Sequence, residues 1–489
     1  MSITNRWLTL AIVTSTLFLI IIDMTVLYTA LPSLGQALNL TATEKLWVIN
    51  IYPLIVASLL PVAGMLSDRI GHNALFIKGI PTFGVASLCA AYSPSTEYLI
   101  MSRSLLAVGA SMMMPATLAI VRYVFTDARE RSIAIGIWSA VASSAAALGP
   151  VLGGILLEYF WWGSVFLINV PVIIAIFPCA KIFIPKINSN PQRPCDFISS
   201  FFIMFGLFGV IYALKELSKL EISYTSLFTA SVTGAIFLRL FIRRQKKMVT
   251  PMIDFSFFRN QLFTCSIVIA VISMLVLTGI ELVLTQRLQL VLGLSPLIAG
   301  LTILPLPLAS ALAAPLAGVI LPQYGSTRLL YIGMTLTMLG IIVLCIVFEG
   351  ELVPQLFALF IIGFGLGGTF TAVSASIMLN TPEEKSGMIA AMEDVSWELG
   401  GVLGVTLLGG LMTAIYSRNL ILPESLSCRH TVYDSLDEAL RVAENLDAYQ
   451  SALLIQLAKR AFDQAAMSVL FASVILITGS IVVLRRVLR

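Results

Sequence analysis

The 489-residue chain is 58% hydrophobic but only 11% charged, and its net charge is +4. A soluble domain averages about 45–50% apolar and about 25% charged residues, so this composition excludes a soluble enzyme, a disordered protein and a coiled coil. Its mean hydropathy is +0.95. A transmembrane helix takes about 20 apolar residues, and about fourteen such helices would account for the hydrophobic fraction. The chain is therefore predicted to be an all-α polytopic membrane protein.

In chain order, apolar runs bounded by proline, glycine or charged residues predict fourteen membrane spans. The spans, numbered 1–14, cover residues 8–30, 46–66, 74–93, 98–121, 132–157, 164–184, 197–214, 224–242, 261–286, 297–321, 328–348, 352–379, 386–417 and 462–484. With a cytoplasmic N-terminus, most of the 30 Lys and Arg residues fall on the cytoplasmic side, as the positive-inside rule requires. Both termini are therefore predicted to be cytoplasmic, and the excess of cations requires no nucleic acid partner.

The polar segment 418–460 precedes the last span and is predicted to lie outside the membrane. Leu436, Leu440 and Ala443 have helical spacing within it, which predicts an amphipathic helix. Two interpretations stay open for this segment. It either caps the outer opening of the protein or forms a passive, solvated loop.

An internal repeat relates the two ends of the chain. Pro61–Gly64 recurs as Pro315–Gly318, and residues 130–132 recur as 384–386, with a constant offset of 254 residues. This offset relates span 2 to span 10, so two six-helix halves are predicted with two extra helices between them. The predicted units are the N-terminal half 1–190, the two-helix insert 191–260 and the C-terminal half 261–489.

A glycine-rich, charged turn follows span 2. Its sequence, GMLSDRIGHNAL, resembles the loop 2–3 signature of the major facilitator superfamily, whose transporters are built from parallel six-helix halves. The glycines permit close helix contact and a tight turn. The charges can hold the two halves together, with Arg69 paired to Asp127 or Glu130; the alternative is a charged turn at the membrane surface. The predicted residues of this latch are Gly64, Asp68, Arg69 and Gly71.

Span 5 contains a string that resembles the antiporter motif of the same superfamily. Its glycines can form a stripe for close helix packing, and its proline removes a backbone hydrogen bond and permits a bend. Within the superfamily the motif is typical of exchangers rather than uptake symporters. The residues are Gly149, Pro150, Gly153 and Gly154.

Span 1 identifies a narrower group. The segment Asp23–Pro32 resembles the D-x-T…A-L-P signature of the fourteen-span drug:proton antiporters, and Leu46–Tyr52 and Trp162–Pro171 fit the same family. The resemblance implies a multi-pass inner-membrane protein that exports lipophilic cations, such as quaternary ammonium biocides, dyes and viologens. Transport across the lipid bilayer would be driven by a proton gradient. The protein would function as a monomer and would need no cofactor and no catalytic residue.

Six ionisable residues fall inside predicted spans. A charge at the bilayer centre costs about 2.5 kcal/mol or more, so such groups pair, face water or bind a proton. Arg103 and Asp23 lie at similar depths in spans 4 and 1, which predicts that Arg103 tunes proton binding at Asp23; the alternative is that Arg103 snorkels to the surface. Glu281 is either a second such acid or a packing contact between helices. The predicted proton- and cation-binding acids are Asp23, Glu281, Glu393, Asp394 and Glu398.

Methionine and aromatic side chains near these acids are candidates for a cavity that accepts varied ligands. The sequence also leaves two other functions open: an uptake symporter or metabolite carrier of the same fold, and a channel or membrane enzyme. The last class is disfavoured because no Walker loop and no HExxH motif occurs, and the six cysteines have no spacing typical of a metal site. The predicted lining residues are Met24, Tyr28, Tyr52, Trp138 and Trp397.

Overall fold

The computed structural model describes residues 3–186, 196–217, 222–248, 251–379, 386–423 and 430–487. The regular secondary structure within these ranges is helical throughout. Thirteen helices of the described residues are long and apolar enough to cross a membrane. The chain is therefore a multi-pass membrane protein, as its composition predicts.

Six long helices make up the first part of the chain. Thr41 forms a capping box with Glu44 at the start of the second helix. Gly71 has a φ of +95° and makes the tight turn into the third, a backbone angle that favours glycine. The helices are α1 (Ile3–Ala37), α2 (Ala42–Ile70), α3 (His72–Ala91), α4 (Thr96–Val124), α5 (Ala128–Tyr159) and α6 (Ser164–Phe183).

Eight long helices follow. α5 is the helix outside the count of thirteen, because its described apolar part, Ser144–Tyr159, is shorter than the others. The predicted fourteenth span therefore stays a prediction. The later helices are α7 (Phe197–Leu217), α8 (Tyr224–Gln245), α9 (Gln261–Val291), α10 (Pro296–Tyr324), α11 (Ser326–Ile346), α12 (Leu352–Leu379), α13 (Ser386–Leu403, Gly404–Leu408 and Gly409–Asn419) and α14 (Ala448–Val487).

Buried apolar side chains form two large clusters. One draws mainly on residues 10–184 and the other on residues 263–484. Leu282 of α9 and Val405 of α13 belong to the first cluster, so the two groups of helices are in direct contact. The functional residues described below lie along this contact.

Helices α7 and α8 pack against each other at the side of the bundle. Ile211 of α7 joins a small buried cluster with Leu54 of α2 and Val402 of α13. α7 therefore covers the line along which α2 meets α13. α8 lies farther out, and only 11% of its apolar window is buried.

The segment before α14 differs from the sequence-based prediction. The helix starts at Ala448, whereas span 14 was predicted at 462–484, because its first turns are amphipathic and continue beyond the apolar stretch. A short helix, Leu436–Ala443, precedes it and is called the loop helix here. Lys45 at the start of α2 forms a buried ion pair with Asp437 of the loop helix. The segment therefore caps this end of the bundle, which we call the loop end; the opposite end, at Gly71, is the motif end.

Candidate functional site

A buried ion pair joins α1 to α4. The Arg103 Nη1 and Asp23 Oδ2 atoms are 3.4 Å apart, and the two side chains are 1% and 0% exposed. The guanidinium carbon also lies 5.2 Å from the ring centroid of Tyr52 and 5.8 Å from that of Phe166. Aromatic faces at this distance stabilise a buried cation. The predicted contact between Arg103 and Asp23 is confirmed, and the snorkelling interpretation is wrong because the guanidinium is buried.

The other carboxylate oxygen of Asp23 has a partner that the sequence analysis missed. Asn169 of α6 donates from Nδ2 to Asp23 Oδ1 over 3.2 Å and to Ser87 Oγ of α3 over 3.1 Å. All three side chains are fully buried. The available signal was a side-chain amide inside an apolar span, since buried polar groups require hydrogen-bond partners.

A small cavity lies between the two groups of helices, beside the ion pair. Its volume is about 30 Å³, and α1, α2, α4, α9 and α13 all contribute to its wall. Of the five predicted lining residues, four line it: Met24, Tyr28, Tyr52 and Trp397.

Trp138 is the exception among the predicted lining residues. It is not part of the cavity wall. Its indole Nε1 donates to Thr117 Oγ1 of α4 over 3.2 Å, so its polar edge is engaged within the N-terminal helices. The prediction that it lines the cavity is wrong, because a residue type does not fix the direction in which a helix presents it.

Glu398 is the acid that reaches this cavity. It lies in the cavity wall with Arg103, and its side chain is buried, with the residue 8% exposed. Its Oε2 atom is fully buried and has no hydrogen-bond partner among the described residues. A buried carboxylate oxygen without a donor is costly, so this position favours a bound cation or proton.

The two other acids of α13 have different surroundings. Glu393 is 6% exposed, and its Oε1 atom accepts hydrogen bonds from Ser374 of α12 and, over 3.4 Å, from Trp397. Asp394 is exposed and shares a helix face with Glu398, one turn away. The three predicted acids therefore differ: Glu398 is buried with an oxygen that has no partner among the described residues, Glu393 is buried and hydrogen-bonded, and Asp394 is exposed.

Glu281 of α9 is partly buried and belongs to the same neighbourhood. Of the predicted acids, Glu398 lines the cavity itself, and Asp23 reaches it through its partner Arg103.

A hydrogen bond also ties the two halves together at the cavity. Asn50 of α2 donates from Nδ2 to Thr406 Oγ1 over 2.7 Å. Thr406 belongs to the π-helical turn Gly404–Leu408 of α13, and turns of this kind are frequent at functional sites. The sequence analysis did not predict this contact, because the two residues are more than 350 positions apart in the chain.

Comparison with known proteins decides the family. Residues 13–405 match the Major Facilitator Superfamily. The chain belongs to this superfamily. The methyl viologen resistance protein SmvA of Salmonella typhimurium is 36% identical over 461 residues, which covers 94% of this chain and 93% of SmvA. The multidrug efflux pump LfrA of Mycolicibacterium smegmatis is 34% identical over 98% of this chain and 96% of its own length.

A relative that is named for a different substrate is also similar. The riboflavin transporter RibZ of Clostridioides difficile is 31% identical over 81% of this chain and 87% of RibZ. Among solved structures, a bacterial homologue of the human lysosomal transporter Spinster, inward-facing and unoccupied, has a TM-score of 0.71. It covers 100% of this chain and 98% of its own, at 16% sequence identity. This likeness shows that the chain has the major facilitator fold.

The glycines of the span 5 string lie where helices of this superfamily member cross. A side chain at Gly149 or Gly153 would collide with α1, at Thr25 and Val26. A Cβ at Gly154 would lie 2.5 Å from the Cα of Leu297 in α10. At the same crossing, a Cβ at Gly300 of α10 would lie 2.4 Å from the carbonyl oxygen of Pro150. The four residues therefore allow α5 to contact both halves, close to the loop end.

The loop end holds a further contact between halves. Gln289 of α9 donates from Nε2 to the Thr29 carbonyl of α1 over 3.1 Å. With the crossing at Gly154 and the Lys45–Asp437 pair, it joins the halves above the cavity at three points.

The motif end is more open. A Cβ at Gly64, or at its repeat equivalent Gly318, would meet no atom within 4 Å. Arg69 is exposed, and the Asp68 side chain lies outside the described residues. Glu130 pairs over 2.5 Å with Arg6 of α1 rather than with Arg69. Of the predicted latch, the structure therefore bears out the tight turn at Gly71, whereas the proposed Arg69–Glu130 pair is wrong.

Proposed function

We propose that this chain is a proton-driven antiporter that exports lipophilic cationic drugs and biocides by alternating access. The observation that carries the proposal is the buried Oε2 atom of Glu398, which has no partner among the described residues and lies in a cavity lined by Tyr28, Tyr52 and Trp397. A cation that enters this cavity gains an ion pair with the carboxylate and contact with aromatic faces. Its apolar part contacts Met24.

The substrate class follows from charge and polarity. A carboxylate in a low-dielectric site binds a cation or takes up a proton, and the two exclude each other because either one neutralises it. Quaternary ammonium compounds, dyes and viologens combine a delocalised or shielded positive charge with apolar groups. The similarity to SmvA, a methyl viologen resistance protein, makes methyl viologen the first substrate to test.

The proton side of the exchange rests on Arg103. The guanidinium pairs with Asp23 and also lies in the wall of the Glu398 cavity. When Asp23 binds a proton, its attraction for the guanidinium falls, and the positive charge becomes available to Glu398. A cation bound at Glu398 is then repelled and released. Proton binding in one half is thereby converted into cation release from the other.

Alternating access sets the direction. In the proposed topology the chain has fourteen spans arranged as 6 + 2 + 6, both termini are cytoplasmic, and the loop end is the outer end. The halves meet at this end, and Asp394 of α13 is exposed. Ligand sites for drug-sized molecules have volumes of about 300–1,000 Å³, so the cavity of about 30 Å³ must widen from the motif end when substrate binds.

The proposed units are the two six-helix halves 1–190 and 261–489, with 191–260 as the insert. Because the cavity takes its walls from both halves of one chain, a monomer contains a complete site. α7 covers the α2–α13 junction, where it would limit lipid entry as the halves move.

The test is reconstitution in liposomes with an imposed pH gradient. Methyl viologen should be moved against its gradient and should release protons from the wild-type protein. Asp23→Asn should lose the dependence on the pH gradient, and Glu398→Gln should lose substrate-induced proton release. Glu97→Gln, which changes an exposed acid at the start of α4, is the matched control. Methyl viologen movement that is independent of the gradient would reject proton antiport.

The similarity to RibZ favours a second candidate, a carrier or proton-coupled uptake symporter for an uncharged metabolite. The two functions differ in their dependence on Glu398. Riboflavin movement in the direction of the proton flow, unchanged in Glu398→Gln, would establish the second candidate in place of the first.

A further inference from the structure

Asn169 occupies the point where four helices of the N-terminal half converge. Its amide contacts Asp23 of α1 and Ser87 of α3, while Arg103 of α4 holds the other side of the same carboxylate. Asn169 itself begins the second segment of α6, Asn169–Phe183, directly after the short segment that ends at Leu167. The side chain is fully buried, so its partners are fixed by the fold and not by water.

Arg103 differs from Asn169 and Ser87 in the hydrogen bonds that it can form with Asp23. Arginine only donates hydrogen bonds, so Arg103 can donate to the oxygens of Asp23 but cannot accept from the O–H of a protonated carboxyl group. An amide carries both a donor and an acceptor, and a hydroxyl can act as either. Asn169 Oδ1 is buried and has no partner among the described residues, so its acceptor is unused while Nδ2 donates twice.

We propose that Asn169 is a positioning residue that holds Asp23 in both of its protonation states. With Asp23 ionised, Asn169 Nδ2 donates to the carboxylate and to Ser87. With Asp23 protonated, the amide turns by about 180° about its Cβ–Cγ bond, because its two ends have nearly the same shape. Asn169 Oδ1 then accepts hydrogen bonds from the carboxyl O–H and from the Ser87 hydroxyl.

The protons balance without any further group, and Nδ2 turns to the side that Oδ1 faces while Asp23 is ionised. The proton stays on the Asp23 carboxyl, the amide changes no charge, and Ser87 reverses from acceptor to donor. The charged and titratable groups that face Asp23 are Arg103 from α4 and Tyr52 from α2, and Glu398 of α13 lies across the cavity. Arg103 sets the charge balance, whereas Asn169 keeps the neutral carboxyl in place after the guanidinium has been released. The inference rests on the proposed proton exchange at Asp23.

Infrared difference spectroscopy of the full-length protein in liposomes tests it. Spectra taken at high and low pH contain the carbonyl band of the protonated Asp23 carboxyl group, identified as the band that Asp23→Asn removes. In the wild type this carboxyl group donates a hydrogen bond to Asn169. In Asn169→Leu, which keeps the volume but removes the amide, the band should move to higher frequency. Ser87→Ala should move it by less and to lower frequency, because Asn169 Oδ1 then has one donor in place of two and accepts more strongly from the carboxyl O–H.

Asn50→Leu is the matched control, because Asn50 is an equally buried asparagine that bonds to Thr406 and not to Asp23. Its band should stay at the wild-type frequency. An unchanged band in Asn169→Leu would overturn the role of Asn169 and leave the proposed antiport standing. If Asp23→Asn removes no band at all, Asp23 is not a proton site, and proton exchange there fails together with the inference. Should Asn169→Leu not fold, an unshifted band in Ser87→Ala overturns the inference.

Discussion

The two halves of the protein handle buried acids in opposite ways. In the N-terminal half, Asp23 is surrounded by donors, with Arg103 on one oxygen and Asn169 on the other. In the C-terminal half, Glu398 lines the cavity, and its buried Oε2 atom has no hydrogen-bond partner among the described residues. Under the proposed function, this contrast assigns proton coupling to Asp23 and cation binding to Glu398.

Removing the cation that pairs with Asp23 should have the largest effect. Arg103→Ala leaves Asp23 as a buried carboxylate with the Asn169 hydrogen bond but without its paired cation, and such a group takes up a proton more readily. We expect cation efflux to lose at least about tenfold in rate and its optimum to move to higher pH, since about 1.4 kcal/mol corresponds to a factor of ten. The pH profile of methyl viologen efflux in liposomes measures this. A profile that superimposes on the wild type after scaling would remove Arg103 from the coupling mechanism.

Neutralising Glu398 should affect binding next. Glu398→Gln removes the only charge that Glu398 offers to a cation, and we expect methyl viologen affinity to fall about 10- to 100-fold. Glu393→Gln should lower affinity far less, because Glu393 is already bound by Ser374 and Trp397. Equilibrium binding to detergent-purified protein distinguishes the two. Equal losses in both variants would contradict the division of roles within α13.

The two ends of the protein can be compared by adding a methyl group at a glycine of each end. Gly154→Ala places a methyl group 2.5 Å from the Cα of Leu297, so α5 and α10 must separate at the loop end. Gly64→Ala meets no atom within 4 Å at the motif end. We expect Gly154→Ala to slow transport several-fold at unchanged affinity and Gly64→Ala to leave the folded state intact. Comparable transport and thermal midpoints for the two variants would count against a tight crossing at Gly154.

The smallest effect is expected at Asp196, an acid outside the membrane whose hydrogen bonds contribute to stability and not to transport. Burial by itself raises the pKa of Asp196, before α7, but hydrogen bonds from Arg244 and Ser199 outweigh it and leave the pKa below its usual value. Such a group stabilises the fold above its unfolded-state pKa and loses this contribution as the pH falls through its folded-state value. Asp196→Asn should cost less than about 1 kcal/mol at neutral pH and nothing in strong acid. Thermal unfolding against pH measures it, and a constant difference at every pH would contradict the prediction.

Part of the site could be predicted from the sequence, because the depth of a residue in the membrane follows from its distance along the chain to the end of its span. Counting residues from the ends of spans 1 and 4 places Asp23 and Arg103 at one level, and an arginine is long enough to bridge what remains. The span 5 glycines likewise predicted a closely packed helix, which the contacts at Gly149, Gly153 and Gly154 confirm. The start of α14 could not be found this way, because hydropathy marks where a helix becomes apolar and not where it begins.

The roles of other residues could not be predicted, because the spacing of residues along a helix does not show which other helix each face contacts. Trp138 and Trp397 are the same residue type in similar apolar spans, yet one donates to Thr117 and the other lines the cavity. Asn169 was part of a recognised segment, but its meaning depends on Ser87 and Asp23, which lie more than 80 positions away.

The sequence by itself determined that this chain crosses a membrane, that it resembles the drug:proton antiporters and that it keeps five acids in its apolar spans, and it predicts a repeated six-helix plan. These are properties of composition and local pattern, which solvation by the bilayer selects directly. Only the tertiary structure decided that Asp23 is held from both sides, that Glu393 Oε1 accepts from Ser374 and Trp397, and that Glu398 Oε2 has no partner among the described residues. Hydrogen bonds act over about 3 Å, and which donors come that close to each acid is set by helices from distant parts of the chain.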